Sequence, residues 1–466
     1  MVLAGLVGSV GSVGSVGSVG FLGWRKNGGW SCVVVEMQKP NTHLSDRRDF
    51  IKAGSWVTAA ALLPGIASAQ DAAGKEIRVA LVGCGGRGTG AASQSLNVPG
   101  TKLVAMADAF EDNLNKAHAS LQKQFGDRVD VPAERRFVGF DAFKKAIDAA
   151  DLVLLCSSPG FRPAHFEYAV QQGKHVFMEK PVAVDGPGIR KVIEAAKVAD
   201  QKNLKVVCGL QRRYQNTYLE TLQQIKDGII GDIINAQVYW SGGGVWTRPR
   251  NEGATEMEYQ MRNWFYFNWI CGDHICEQHI HNIDVGNWFK GGHPVKAVGI
   301  GGRTKRIGKD WGEIFDHHYV EYTYADGTIM NSQCKHWNGT WSKVSETIVG
   351  TKGTATAGVI KDHSGKIIWR FRGQNNNPYQ TEHDVLVQHI KENKPINNAH
   401  YTAESTLTAI MGRMATYSGQ EITWEQALNS DLDTMPKVLA WDADPGPKMG
   451  ADGLYPAPIP GVTKVF

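Results

Sequence analysis

"KEIRVALVGCGGRG", residues 75–88, decides the fold. A short β-branched apolar run meets the pattern G-x-G-x-x-G at Gly83, Gly85 and Gly88, and a helix-compatible stretch follows. Gly83 permits a tight turn, Gly85 lets the backbone approach a pyrophosphate, and Gly88 lets helix and strand pack closely. The pyrophosphate would sit on the helix N-terminus, beside Gly86 and Arg87, where free N–H groups and the helix dipole favour an anion. A second apolar run, TKLVAMADAF (101–110), carries Asp108, 20 residues after Gly88. That carboxylate would accept hydrogen bonds from the adenosine ribose and repel a 2′-phosphate, which favours NAD over NADP. A glycine pattern alone is equally a flexible turn; the strand before it, the helix after it and the spaced acid select dinucleotide binding.

The alternation continues. DLVLLCSSP (151–159), KHVFMEKP (174–181) and LKVVCGLQ (204–211) read as strands, with helical patterns between them at 162–173 and 186–203. Strands alternating with helices predict a doubly wound parallel sheet over 75–210. Ligands of such sheets bind beyond the C-terminal strand ends. Ser157, Glu179, Lys180, Arg213 and Tyr214 stand at those ends, so they are expected around the nicotinamide. After 211 the alternation stops and strand-like runs dominate, including a hairpin signal, ADGT (325–328). Trp246, Arg248, Arg250, Arg262 and Trp264 mix flat aromatics with guanidinium donors, which suits either sugar binding or ordinary packing.

The chain has 466 residues, 42% hydrophobic and 21% charged, with a net charge of +4. Two globular domains are expected, and with no basic stripe a nucleic-acid partner is not. The seven cysteines are scattered with no CxxC pair, which argues against a disulfide framework. The N-terminus differs in kind. GSVGSVGSVGSVG (8–20) is low complexity. A start at Met37 would leave an export signal: Arg47-Arg48, a weakly apolar run, then Ala67-Ser68-Ala69. RRDFIK resembles a twin-arginine motif, so 1–69 is read as low-complexity start plus signal, cleaved near Ala69 into the periplasm or otherwise exported. The apolar run is too short to span a membrane, and no other candidate span is found.

GDHICEQHIHNIDVGNW (272–288) is the second informative stretch. On one helix capped by Asp273, residues His274, Glu277, His281 and Asp284 would share a face. A solvated face, a metal site and a catalytic cluster are all chemically open. HICEQH misses the metalloprotease spacings, so no metal is expected. In the catalytic reading His281 is the base, Glu277 orients it and Lys180 polarises the substrate oxygen; a cis Lys180–Pro181 bond would fix that lysine. His274 and Asp284, with Arg213 and Tyr214, would contact substrate.

The glycine motif, the MEKP strand end and HIHNID together resemble the glucose–fructose oxidoreductase / inositol dehydrogenase / rhizopine catabolism (Gfo/Idh/MocA) family, over about 75–420. The resemblance implies an α/β fold: an N-terminal Rossmann domain, then a C-terminal α+β domain (211–466) with a large, mostly antiparallel sheet. It implies a homo-oligomer, and NAD(P)-dependent hydride transfer at a carbinol of a sugar, polyol or sugar derivative. Lys180 matches the family's lysine, and Glu277, His281 and Asp284 match its G-G-x-x-x-D-x-x-x-H-x-x-D motif. Asp273 replaces the second glycine and Glu277 replaces the usual aspartate, departures that concern the substrate. The superfamily also includes NAD-dependent glycosidases, so redox-assisted glycoside cleavage is the alternative, and a non-catalytic NAD or sugar sensor is a third.

Overall fold

The computed structural model describes residues 76–466 and, before them, one pair of two-residue strands, Arg25–Lys26 with Gly29–Trp30. The expected export signal, with Met37, Arg47, Arg48 and Ala69, lies outside the described residues.

The first sheet has six parallel strands: β1 (Ile77–Val82), β2 (Thr101–Asp108), β3 (Arg136–Val138), β4 (Leu152–Leu155), β5 (His175–Met178) and β6 (Val206–Cys208), in the order 3-2-1-4-5-6. Its central strands are buried on both faces, which explains their unbroken apolar runs. Val79 and Leu81 pack into one core with Leu96 and Leu121, and Ala80 and Val82 into the other with Ile147 and Ile189. The short edge strand β3 carries too little apolar sequence to announce itself.

The second sheet holds nine strands: β7 (Ile233–Gly242), β8 (Lys296–Gly302), β9 (His317–Thr323), β10 (Ile329–His336), β11 (Lys343–Gly350), β12 (Gly353–Thr356), β13 (Val359–Asp362), β14 (Ile367–Arg370) and β15 (Ile422–Thr423). The order is 14-13-12-11-7-10-9-8-15, antiparallel except where β7 meets β10. The expected hairpin joins β9 to β10, with Gly327 at φ 83° in the turn. The helices Ile280–Lys290 and Ala399–Ser418 cover one face, where Ile283, Ala409 and Met414 join Val238, Tyr322 and Met330 in the core. On the other face Val298, Ile300 and Tyr319 are exposed.

Two features depart from the sequence reading. The helix Pro378–Lys391, capped by Asn377, packs back on the first sheet, and its Leu386 and Val387 share a core with Leu96. The division at 210/211 does not anticipate that return. The 272–288 segment is also not one helix. It forms His274–Glu277 and Ile280–Lys290, broken at Gln278–His279.

Among the described residues no helix is long and apolar enough to cross a membrane. The six described cysteines are free, and Cys84 and Cys208 are buried as small core residues.

Candidate active site

One cleft of about 920 Å³ opens where the C-terminal ends of the first sheet face the second domain. At its floor the chain leaves β1 through Gly83, whose φ is 93°. A Cβ on Gly83 would stand 2.4 Å from the Ser157 nitrogen, and one on Gly88 would stand 1.9 Å from the Gly83 oxygen. Both positions therefore exclude side chains. Around Gly85 and Gly86, by contrast, a Cβ would meet open space. Gly85 is the N-cap of the helix Gly86–Asn97, and no side chain caps it. Bare N–H groups and open space at a helix start fit a dinucleotide pyrophosphate.

Asp108 ends β2 on the cleft wall, and its carboxylate accepts from Cys84 N at 2.6 Å and Phe110 N at 2.8 Å. Those two bonds fix the carboxylate on the cleft wall. Ser157, just beyond β4, shares a 3.0 Å hydrogen bond with His165 Nδ1. Arg87 and Glu179 turn out to be one ion pair, Nε to Oε1 at 2.6 Å, with Glu179 buried. Tyr379, from the returning helix, lies 5.2 Å from the Arg87 guanidinium and closes that side.

At the opposite end the Lys180–Pro181 peptide is cis. Lys180 Nζ donates to the main-chain oxygen of Glu277 at 2.5 Å and to its Oε1 at 3.0 Å. His281 reaches the same cleft, its ring stacked 6.1 Å from Trp240. Burial, then the charges of Lys180 and Arg212, push its pKa well below the usual histidine value, so the ring is neutral at pH 7. Its Nδ1 is buried without a hydrogen-bond partner. The expectation that Glu277 orients His281 is therefore corrected: the Glu277 carboxylate accepts from the Lys180 ammonium instead.

The four expected substrate contacts do not line the cleft. Arg213 pairs with Asp284, Nη2 to Oδ1 at 2.8 Å, and Ser405 Oγ donates to the same carboxylate at 2.8 Å. Tyr401 stacks 3.7 Å from the Arg213 guanidinium. Tyr214 donates to Asn398, away from the cleft. His274 is fully buried against Asp273, His318 and His336. A buried ion pair needs its partners close on every side, and here the neighbouring helices supply them. Of the aromatic–arginine group, Trp246, Arg248, Arg262 and Trp264 do line the cleft, while Arg250 pairs with Glu256.

Asp273, His274 and His318 bring potential ligand atoms within 4.8 Å of one another. The Asp273 oxygens, however, already accept from His274 Nδ1 at 2.7 Å, Phe315 N at 3.0 Å and Tyr417 Oη at 2.6 Å. The group behaves as a hydrogen-bonded core network. Sequence reasoning missed Gln278, Trp240, His165 and Tyr379 on the cleft wall. None carries a local motif, and Gln278 lies off the helical face that the spacing defined.

Residues 77–209 match the family model "Oxidoreductase family, NAD-binding Rossmann fold". A glycosyl hydrolase family 109 protein of Phocaeicola vulgatus is 28% identical over 197 residues, 40% of this chain and 34% of that protein. An inositol 2-dehydrogenase of Rubrobacter xylanophilus is 26% identical over 303 residues, 64% of this chain and 74% of that protein. The chain thus spans about a third of the length of the first relative and about three quarters of the second. The scyllo-inositol dehydrogenase of Lactobacillus casei, solved with NAD(H) and scyllo-inositol, superposes with a TM-score of 0.55 at 22% identity, over 75% of this chain and 99% of that one. The aldose–aldose oxidoreductase of Caulobacter crescentus gives 0.60 at 17% identity, over 75% and 100%. These likenesses establish the two-domain fold. With the cradle at Gly83–Gly88 and the matching model, residues 77–209 are an NAD-binding Rossmann domain similar to that of the Gfo/Idh/MocA oxidoreductases.

Proposed function

We propose that the protein oxidises or reduces a carbinol of a sugar, polyol or sugar derivative. The observation that carries this is the convergence of Lys180, Glu277 and neutral His281 on the cleft that also contains the glycine turn. Gly85, Gly86 and Asp108 would hold NAD, which when bound supplies the hydride-accepting ring; NADP is disfavoured by the Asp108 charge. Neutral His281 can take the hydroxyl proton. Lys180 stabilises negative charge on the substrate oxygen, and Glu277 holds Lys180 in place. Trp246 and Trp264 offer flat faces to a carbohydrate ring.

A second reading has specific support. A family 109 glycosyl hydrolase is among the proteins this chain resembles, and the same groups could serve glycoside cleavage by transient oxidation. We also propose export by the twin-arginine route. Self-association through the open face around Val298, Ile300 and Tyr319 completes the reading.

The test is to purify residues 70–466 and follow nicotinamide absorbance and sugar products together over free sugars, polyols and glycosides. NADH rising in step with oxidised product supports the oxidoreductase. Aglycone release over many turnovers without net NADH supports the glycosidase. Bound NAD with neither signal overturns both in favour of a sensor.

A further inference from the structure

Gln278 sits in the break between the two helical segments, and its side chain lines the cleft beside Glu277 and His281. Its Oε1 lies 2.6 Å from His336 Nε2, while no bond is made by its Nε2 among the described residues. His336, at the end of β10, is nearly fully buried, its ring between those of Phe265 at 5.8 Å and His274 at 4.5 Å. Its Nδ1 meets Nη2 of Arg306, which is equally buried and also donates to Phe315 O.

This chain has only one consistent polarity. A guanidinium carries donors and no acceptor, so His336 Nδ1 must accept. Burial first, and then the neighbouring His274 ring and Arg306 charge, disfavour the protonated ring and keep it neutral. A neutral imidazole accepting at Nδ1 carries its proton on Nε2. That N–H donates, so Gln278 must answer with its carbonyl oxygen. Its NH₂ group is thereby turned to the cleft with two free donors.

We propose that Gln278 is a specificity-determining residue: its carboxamide N–H groups bind a second oxygen of the substrate, beside the reacting hydroxyl. Arg306 and His336 are positioning residues that hold the amide in this orientation. A polyhydroxylated substrate supplies such an oxygen and a monohydric alcohol does not. The inference rests on the carbinol reading above for its substrate class. It adds a selection rule: the site takes vicinal polyols or aldoses and rejects isolated alcohols.

Two measurements test it. The first needs no substrate. In the NAD-loaded protein carrying ¹⁵N-histidine, with the resonance assigned by its loss in His336→Phe, His336 should show a single neutral tautomer protonated at Nε2. Protonation at Nδ1 overturns the relay. The second compares wild type with Gln278→Met, which keeps the volume and removes the donors, on myo-inositol, D-glucose and cyclohexanol. The expected result is a KM raised about tenfold for the oxidised polyol or aldose with kcat changed less, the size of one hydrogen bond lost in both ground and transition states. NADH affinity should be unchanged. Equal KM values in the two proteins overturn the role of Gln278 while leaving the carbinol reading intact. A wild type that binds NADH but oxidises none of the three overturns the carbinol reading and this proposal with it.

Discussion

Lys180 Nζ holds Glu277 twice, through the main-chain oxygen at 2.5 Å and through Oε1 at 3.0 Å, across 97 residues of sequence. The contact ties the end of β5 in the Rossmann domain to the helical break in the second domain. It also fixes where positive charge stands in the cleft. Glu277→Gln should keep the shape and weaken the grip on the ammonium. We expect kcat to fall roughly 10- to 100-fold, and in Lys180→Met to fall further, toward the loss of about 10²- to 10³-fold typical of a missing oxyanion-stabilising group. The double variant should be little worse than Lys180→Met alone, because both act through one pair. Steady-state kinetics on all three checks this; additive losses would show independent roles.

His281→Ala should lower kcat by about 10²- to 10⁴-fold with little change in NADH affinity. Because burial beside Lys180 and Arg212 depresses its pKa, the base form persists below pH 6.5. The acid limb of kcat/KM should therefore lie below the ordinary histidine value, read from a pH–rate profile of wild type. A limb at or above 6.5 would exclude His281 as the titrating base.

Asp108→Ser removes the charge at the adenosine end while keeping a small acceptor. NADPH affinity should rise relative to NADH by an order of magnitude or more, measured by fluorescence titration. Gly88→Ala should abolish binding of both, since its Cβ would stand 1.9 Å from the Gly83 oxygen.

The Arg213–Asp284 pair is buried away from the cleft, so its loss should be felt in stability. Asp284→Asn leaves the Arg213 charge uncompensated, and we expect a loss of about 3–5 kcal/mol in denaturant unfolding. NADH binding by the folded fraction should be unchanged. A selective rise in substrate KM without destabilisation would return Asp284 to the substrate site.

Buried neutral imidazoles also set an acid limit. Burial lowers His165, His279 and His383 to about 3 and His274 to about 4. Unfolded, each titrates near 6.5, so the unfolded chain binds more protons between those values. This stability is fully present above pH 6.5 and is lost as pH falls toward 4 and 3. Each histidine contributes a slope of up to about 1.4 kcal/mol per pH unit in that window. Thermal melts from pH 7.5 to 4 should show Tm declining steeply below 6.5.

The sequence by itself determined the nucleotide fold, because the jobs of Gly83, Gly85, Gly88 and Asp108 are local: a turn, an approach, a packing contact and a strand end fixed by short spacing. That Lys180 and His281 share a site was an expectation carried by the resemblance of MEKP and HIHNID to family motifs, and the fold brings both to one cleft. Tertiary structure alone decided which groups meet. Helical spacing put His274, Glu277, His281 and Asp284 on one face, but the break at Gln278 scattered them. His274 went to the core, Asp284 to Arg213, and Glu277 to a lysine 97 residues away. Periodicity describes an isolated helix, whereas ion pairs and buried hydrogen bonds are settled by whichever partner the packed domains bring near. Gln278 shows this best: its orientation depends on Arg306 and His336, two residues that no spacing rule connects to it.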